Sequence, residues 1–225
     1  MKRPQVAAAL LMVSCARPPV PEVSLEYSDL FDRACALRDE EERPEPRAVS
    51  ELASRLADFR DHWRKEAPAL LGTTVKLTGV PFRFRETQAA LVVCNVPSMS
   101  LPLLVNMRPY LVALQGEKVR PMRIFSATVF HELLHRYVSD ALGGESAAAT
   151  PLLAKYGSQP AMVQSHLHVF AILDAVYRKL GREDDLAAIR VQLQTVQGAA
   201  TFAKAWEIVQ GEGADTFLKE LRARR

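Results

Sequence analysis

The sequence predicts an α+β domain in which helices and a small sheet form separate layers. Three observations support this prediction. Residues 48–67 form an amphipathic helical pattern, residues 73–115 contain short strand-like segments, and residues from about 126 onward are helical. Elements that run helix, sheet, then helices favour segregated layers over a repeating βα architecture.

The first predicted helix follows from the spacing of its apolar residues. They recur every three or four positions between residues 48 and 67, at Val49, Leu52, Leu56, Phe59 and Trp63. On a helix this spacing produces one apolar stripe, which a globular protein buries against its core.

The middle region is predicted to form the sheet. Its segments are β-branched or alternate apolar with polar residues, and Gly, Pro, Ser and Asn separate them: TTVKLTGV, FRFRE, ALVVCNV and YLVALQG. Such segments are typical of short strands joined by turns. With one polar face, they predict a small, mostly antiparallel sheet.

The remaining chain is predicted to be helical. After a helix that starts near residue 126, helical patterns cover residues 159–180, 183–196 and 201–221. The last of these is interrupted near residues 211–213, where two glycines occur. The prediction is therefore a helical C-terminal half.

The N-terminus has the pattern of a secretory signal. Lys2 and Arg3 precede a short apolar run over residues 6–13, and Ser14-Cys15 follow. Charge, a short apolar core and small residues in this order are typical of a signal peptide, here residues 1–14. The run is too short to span a bilayer permanently.

The four residues MVSC also resemble the lipobox of bacterial lipoproteins, whose cysteine is lipidated and becomes the first mature residue. The resemblance implies lipidation of Cys15, with cleavage after Ala16 and secretion as the alternative. Residues 15–22 then read as a Pro-rich tether and residues 23–225 as one domain. We therefore expect export to the bacterial cell envelope, at the periplasmic face of a membrane that only a lipid anchor contacts.

The net charge bears on the partners expected for this protein, and the cysteines bear on whether it contains a disulfide. The net charge of +3 falls to +1 when Lys2 and Arg3 are removed with the signal peptide (3 − 2), and no clustered basic face suggests a nucleic-acid partner. Cys35 and Cys94 remain besides Cys15. In an oxidising envelope they either form a disulfide or stay two separate buried thiols, and their spacing alone favours neither.

The segment VFHELLHRYV, residues 129–138, contains the spacing H-E-x-x-H. On a helix, His131 and His135 lie one turn apart on the same face, where two imidazoles can bind one Zn²⁺. Glu132 is adjacent in sequence and can accept a proton from water at that metal. Five residues thus supply two ligands and a base.

With its uncharged neighbours and the Gly143-Gly144 stop, this segment resembles the active-site helix of zincin metallopeptidases. The resemblance implies a zincin-like fold, zinc as cofactor, a peptide or protein substrate, and Glu132 as general base on a zinc-bound water. Arg136 departs from the family pattern, which prefers an uncharged residue there. Val138 and Ala141 exclude the long metzincin motif, which has Gly and His at those positions.

The third zinc ligand is predicted to be His166, with His168 as the alternative. They lie in one helical segment and point to opposite sides of it, so only one can face the site. His166 shares its side with Phe170, Leu173 and Tyr177, the predicted inward face. Glu145 and Asp174 are lesser candidates, and Asp140 or Asp174 could instead orient a ligand imidazole.

The sequence therefore predicts an exported, lipid-anchored zinc metallohydrolase of the peptidase kind. Tyr137 and Tyr156 are candidates for stabilising the oxyanion. One alternative is a non-catalytic binding lipoprotein of the envelope with a structural or vestigial zinc site. A second alternative is a zinc enzyme that acts on another bond.

Overall fold

The computed structural model of the protein describes residues 20–38, 43–143 and 150–223. The signal peptide, Cys15 and Glu145 lie outside these residues. The elements in chain order are β1 (Glu22–Tyr27), α1 (Asp29–Arg38), α2 (Pro46–Thr78), β2 (Glu86–Val92), β3 (Met99–Ser100), β4 (Leu103–Asn106), α3 (Val112–Gln115), α4 (Met122–Ala141), α5 (Pro151–Lys155), α6 (Ala161–Lys179), α7 (Glu183–Leu193), α8 (Ala199–Glu212) and α9 (Ala214–Ala223). The α+β class is confirmed.

Helix α2 is the predicted amphipathic helix, and it is longer than its apolar stripe suggested. Pro46 opens it at a position where a missing N–H costs nothing, and Gly79 ends it in the left-handed conformation, with φ at 68°. The Gly79 amide donates to the Val75 carbonyl at 2.7 Å. The buried stripe, which includes Leu52, Phe59 and Trp63, packs against β1, α4 and α6.

The four strands form one mixed sheet in the order β1-β2-β4-β3. Strands β1 and β2 are parallel, with Leu25 opposite Ala89, and β2 and β4 are parallel, with Leu91 opposite Val105. Only β3, at the edge, is antiparallel to its neighbour β4. The prediction of a mostly antiparallel sheet is therefore wrong. The central β2 is covered on both faces, which explains its continuous apolar run.

Two predicted strand segments are helical instead. Thr74 and Thr78 lie in the last turns of α2, where each hydroxyl donates to the carbonyl four residues earlier, so these buried threonines are satisfied without a sheet. The segment from residue 110 to 116 forms a turn and the short α3. There the Glu51 carboxylate of α2 accepts from the amides of Val112 and Ala113 at 2.9 and 2.7 Å.

The C-terminal half is helical, as predicted. Helix α6 is at its centre and contacts α2, α4, α7, α8 and α9. The break expected near residues 211–213 lies at Gly213, which has φ at 81° and separates α8 from α9. Among the described residues, no helix is both long enough and apolar enough to cross a membrane.

A disulfide joins Cys35 of α1 to Cys94, just beyond the end of β2. Next to it, the buried Asp32 accepts hydrogen bonds from the amides of Val93 and Cys94, both at 2.9 Å. These contacts hold α1 on the sheet face opposite the main core. The sequence left open whether these two cysteines form a disulfide or stay separate thiols, and in the structure they form the disulfide.

Replacing both Cys35 and Cys94 by Ser should lower the free energy of unfolding by about 2–5 kcal/mol, because the disulfide closes a long loop in the unfolded chain. Urea denaturation would measure the loss. Parent protein treated with reductant should show the same loss, and equal stability in all three samples would contradict the disulfide. Metal content should stay unchanged, since neither cysteine belongs to the histidine cluster described below.

Candidate metal centre

The HExxH segment lies in the middle of α4, between the sheet and α6. Helix α4 contacts β3, β4, α2 and α6, and most of its side chains are buried. His131 and His135 are half-buried and lie on the side that faces α6. Helix α6 presents His166, which is only 7% exposed, to the same space.

The ring nitrogens of these three histidines converge. The Nε2 atom of His135 lies 3.1 Å from Nε2 of His131 and 3.2 Å from Nε2 of His166. All three ligand atoms lie within 4.8 Å of one another. Residues 31 positions apart are thus brought together by the packing of α6 on α4, and they are the three predicted ligands.

The orientation of His166 is fixed by its other nitrogen. Nδ1 lies 2.7 Å from the carbonyl oxygen of Met162, one turn earlier in α6, and only a protonated Nδ1 can donate to it. Nε2 therefore carries a lone pair, which points at Nε2 of His135. A backbone partner of this kind is typical of metal-binding histidines.

The surroundings keep all three imidazoles neutral. Burial lowers the pKa of His135 to about 3 and that of His166 to about 4, the Met162 hydrogen bond opposing the second shift. Burial, and then the two neighbouring imidazoles, lower the pKa of His131 well below its usual value. Phe170 adds an apolar wall, with its ring 5.7 Å from His131 and 5.2 Å from His166.

This donor set fits a zinc ion. Neutral imidazole is a preferred zinc ligand, and nitrogens at tetrahedral zinc lie about 3.3 Å apart, close to the two distances seen here. Without a cation the arrangement is costly, because a proton on Nε2 of His135 could satisfy only one of its two neighbours. In the described part of the chain no fourth residue joins the cluster. Three protein ligands with one open position are typical of catalytic zinc sites.

Glu132 is buried beside the two α4 histidines, with 8% of its surface exposed. Burial raises its pKa to about 8, and no charged or hydrogen-bonding neighbour contributes to this shift. In the metal-free protein, the carboxyl group is therefore mainly in its neutral form near neutral pH.

A polar cluster one turn before Glu132 was not foreseen from the sequence. The Thr128 hydroxyl lies 2.7 Å from the buried hydroxyl of Tyr110. Burial raises the Tyr110 pKa, its hydrogen bonds with Thr128 and Arg120 and the Arg120 charge lower it, and Glu132 raises it. Thr128, Tyr110 and Arg120 thus adjoin the predicted base, but no local motif connects them in sequence.

His168, the alternative third ligand, lies elsewhere. It is 1% exposed, and its Nε2 is 2.8 Å from the Glu220 carboxylate of α9. The other Glu220 oxygen accepts from the Leu152 amide at 2.9 Å. His166 and His168 face opposite sides of α6, as predicted, and the side that carries His168 is covered by α9.

The other described residues that the sequence suggested for the site make contacts elsewhere. Tyr137 donates to the Val80 carbonyl, Tyr156 bonds Glu212, and Asp174 pairs with Arg178 at 2.8 Å. Asp140 lies 4.0 Å from Arg136. Arg136 itself packs over the Phe84 ring at 4.1 Å and donates to Thr87, so its charge is directed at the sheet rather than at the histidines. Glu145 lies outside the described residues.

Comparisons with protein-family models, with curated proteins and with solved structures find no match. The resemblance to zincins therefore depends on the motif, and the site has to be interpreted from its own chemistry.

Replacing His166 by Ala should abolish stoichiometric zinc binding, because it removes one of three converging nitrogens. The matched change His168→Ala should keep zinc and lower the free energy of unfolding by about 1–3 kcal/mol, since Glu220 loses a buried partner. Metal analysis after dialysis, together with urea denaturation, checks both. Loss of zinc in His168→Ala but not in His166→Ala would reverse the assignment.

The metal-free protein should show opposing pH effects. The three histidines have lowered pKa values when folded, so their contribution to stability is present above about pH 6.5 and is lost as the pH falls towards 3–4. Glu132 has a raised pKa, so its contribution is present below pH 4.5 and is lost as the pH rises through about 8.

Glu132→Gln should remove only the second effect. The variant should gain stability relative to the parent as the pH rises from 4.5 to 8, and the difference should level off above that range. Denaturation at a series of pH values, with a chelator present, measures it. A difference that does not change with pH would show that Glu132 is not buried as a neutral group.

Proposed function

We propose that this protein is a zinc-dependent hydrolase of the peptidase kind, with zinc held by His131, His135 and His166. The observation that supports this most directly is the convergence of three neutral Nε2 atoms beside a buried carboxylic acid. Zinc bound there would acidify a water and polarise a carbonyl group.

Glu132 is the proton-transfer residue in this proposal. It takes a proton from the attacking water and passes it to the leaving nitrogen as the C–N bond breaks. The burial of Glu132 beside the two α4 histidines supports the role, because it places the carboxyl group next to the water that a zinc ion held there would bind.

A peptide substrate is supported by the sheet edge beside α4. Among the described residues, strand β3 pairs with β4 alone, which leaves its outer edge available to an extended chain. Met99 and Leu101 are exposed at this edge, the latter by 70%. An extended peptide lying along β3 would pass next to the helix that carries His131 and His135.

Export and lipid anchoring are part of the proposal. They depend on the N-terminal pattern that ends at Cys15, which lies outside the described residues. The disulfide between Cys35 and Cys94 supports an oxidising compartment such as the bacterial envelope.

The alternative, a binding protein with a structural zinc site, calls for four protein ligands. Within residues 20–38, 43–143 and 150–223, three histidines form the cluster and His168 is bonded to Glu220 instead. The donor set therefore favours a site that leaves room for water and substrate.

Glu132→Gln should retain one equivalent of zinc and lose peptide hydrolysis by at least about 100-fold, because the variant lacks the proton-transfer group but keeps the ligands. Zinc analysis and turnover of a mixture of quenched fluorescent peptides check this. If the variant hydrolysed peptides as fast as the parent, the peptidase proposal would be wrong.

Glu145→Ala is the control for the binding-protein alternative. If Glu145 were a fourth ligand, this variant would bind zinc more weakly and the parent would hydrolyse nothing. We expect unchanged zinc affinity and unchanged hydrolysis.

A further inference from the structure

We propose that Arg120 binds a carboxylate of the substrate on the leaving-group side of the metal. The inference depends on the proposed peptidase function and adds a substrate class to it. It follows from the position of the polar cluster formed by Thr128, Tyr110 and Arg120 and from the charges around that cluster.

The cluster adjoins Glu132 along α4. Thr128 lies four residues before Glu132, so both lie on neighbouring parts of one helix surface, a turn apart. Side chains on a helix tilt towards its N-terminus, which directs Glu132 towards the turn that carries Thr128. Tyr110 joins this turn through its hydroxyl, 2.7 Å from that of Thr128, and interacts electrostatically with Glu132.

Arg120 extends the cluster towards solvent. It is half-buried, its guanidinium hydrogen-bonds the Tyr110 hydroxyl, and its backbone amide donates to the Pro109 carbonyl at 2.8 Å. Tyr110 is itself held by α2, since Arg55 donates to its carbonyl at 3.0 Å. The position of the Arg120 charge is therefore set by contacts with two other parts of the fold.

The Arg120 charge has no protein counter-ion in the described part of the chain. Other arginines on or near α4 differ in this respect. Arg123 pairs with Asp185 at 3.4 Å, Arg136 lies near Asp140 and Phe84, and Arg55 pairs with Glu51. The half-buried Arg120 guanidinium is linked through Tyr110 and Thr128 to the turn that precedes Glu132. Without a protein carboxylate, it is ready to bind one from a ligand.

The role of Glu132 determines on which side of the metal the substrate carboxylate would lie. To protonate the leaving nitrogen, Glu132 must come within hydrogen-bond distance of it, so the product that starts at this nitrogen extends on the Glu132 side of the metal. The opposite boundary of the site is apolar, with Phe202 packed 4.9 Å from the His166 ring. A charged group on the leaving product would therefore meet Arg120.

The carboxylate can come from two sources with the same chemistry. One is the free C-terminus of a peptide cleaved close to its end, and the other is an acidic side chain just after the cleaved bond. Matched peptides separate the two sources. The first has a free C-terminus one or two residues after the cleaved bond, the second has the same sequence ending in an amide, and the third has the amide and a Glu at the first position.

The zinc-loaded parent should hydrolyse at least one carboxylate peptide with kcat/KM about tenfold or more above the amide peptide. Arg120→Ala should lose this preference mainly through KM and keep its zinc. Arg120→Lys should retain part of the preference, since it keeps the charge but not the planar pair of donors. Arg123→Ala is the matched control and should behave as the parent.

A binding measurement tests the role of Arg120 without requiring hydrolysis of a substrate. Peptide hydroxamates bind zinc directly, so we would titrate zinc-loaded Glu132→Gln with three of them. In each, the peptide part follows the hydroxamate and occupies the leaving-group side of the metal. One has a free C-terminus, one ends in an amide, and one ends in an amide and carries a Glu at the first position. A carboxylate form should bind about tenfold or more tightly than the amide, and Arg120→Ala in the same background should remove the difference.

Equal binding of all three hydroxamates, or an unchanged preference in Arg120→Ala, would overturn the role of Arg120. If the hydroxamates show the preference but no peptide is hydrolysed, the peptidase function fails and the carboxylate site stands. If no hydroxamate binds, both fail.

Discussion

The site depends on three neutral imidazoles whose lone pairs face one another between α4 and α6. His135 is within hydrogen-bond distance of both His131 and His166, and His166 has already used its only proton on Met162. Burial disfavours protonation of any of them. A metal cation bound there would satisfy all three nitrogens at once, and its binding would stabilise the packing of the two helices.

The rest of the fold holds these two helices in place. Helix α4 lies between the sheet and α6, and α2 packs on both helices. On its other side, α6 is tied to α9 by His168 and Glu220, whose carboxylate also bonds the start of α5. His166 and His168 therefore face opposite sides of α6, the first in the histidine cluster and the second in a buried contact with Glu220.

The features that could be predicted are those encoded within a few neighbouring residues. The periodicity of α2, the helical C-terminal half and the H-E-x-x-H spacing are local, and the structure has all three helical features. Selection of His166 over His168 also came from local geometry, because two residues on a helix separate their side chains by about 200°. The side of α6 that carries His168 is nevertheless buried, because α9 covers it.

The features that were missed depend on distant residues. The parallel pairing of β1, β2 and β4 depends on which segments are covered on both faces, and the apolar run in β2 was the available sign of it. Helix α3 forms where Glu51 caps it from 61 residues away. Thr74 and Thr78 are β-branched, yet their hydroxyls bond within the helix, which composition does not reveal.

The two sides of the histidine cluster differ chemically, and this difference gives the site a direction. On the α6 side, Phe170 and Phe202 cover His166 with apolar surface. On the Glu132 side, Thr128 and Tyr110 lead to the Arg120 guanidinium. A symmetric apolar pocket could bind a zinc ion equally well, but it would not distinguish the two ends of a peptide. In the proposed peptidase, the Arg120 cation on the Glu132 side would distinguish them, because it would favour one orientation of the substrate, with the negative end on the leaving group.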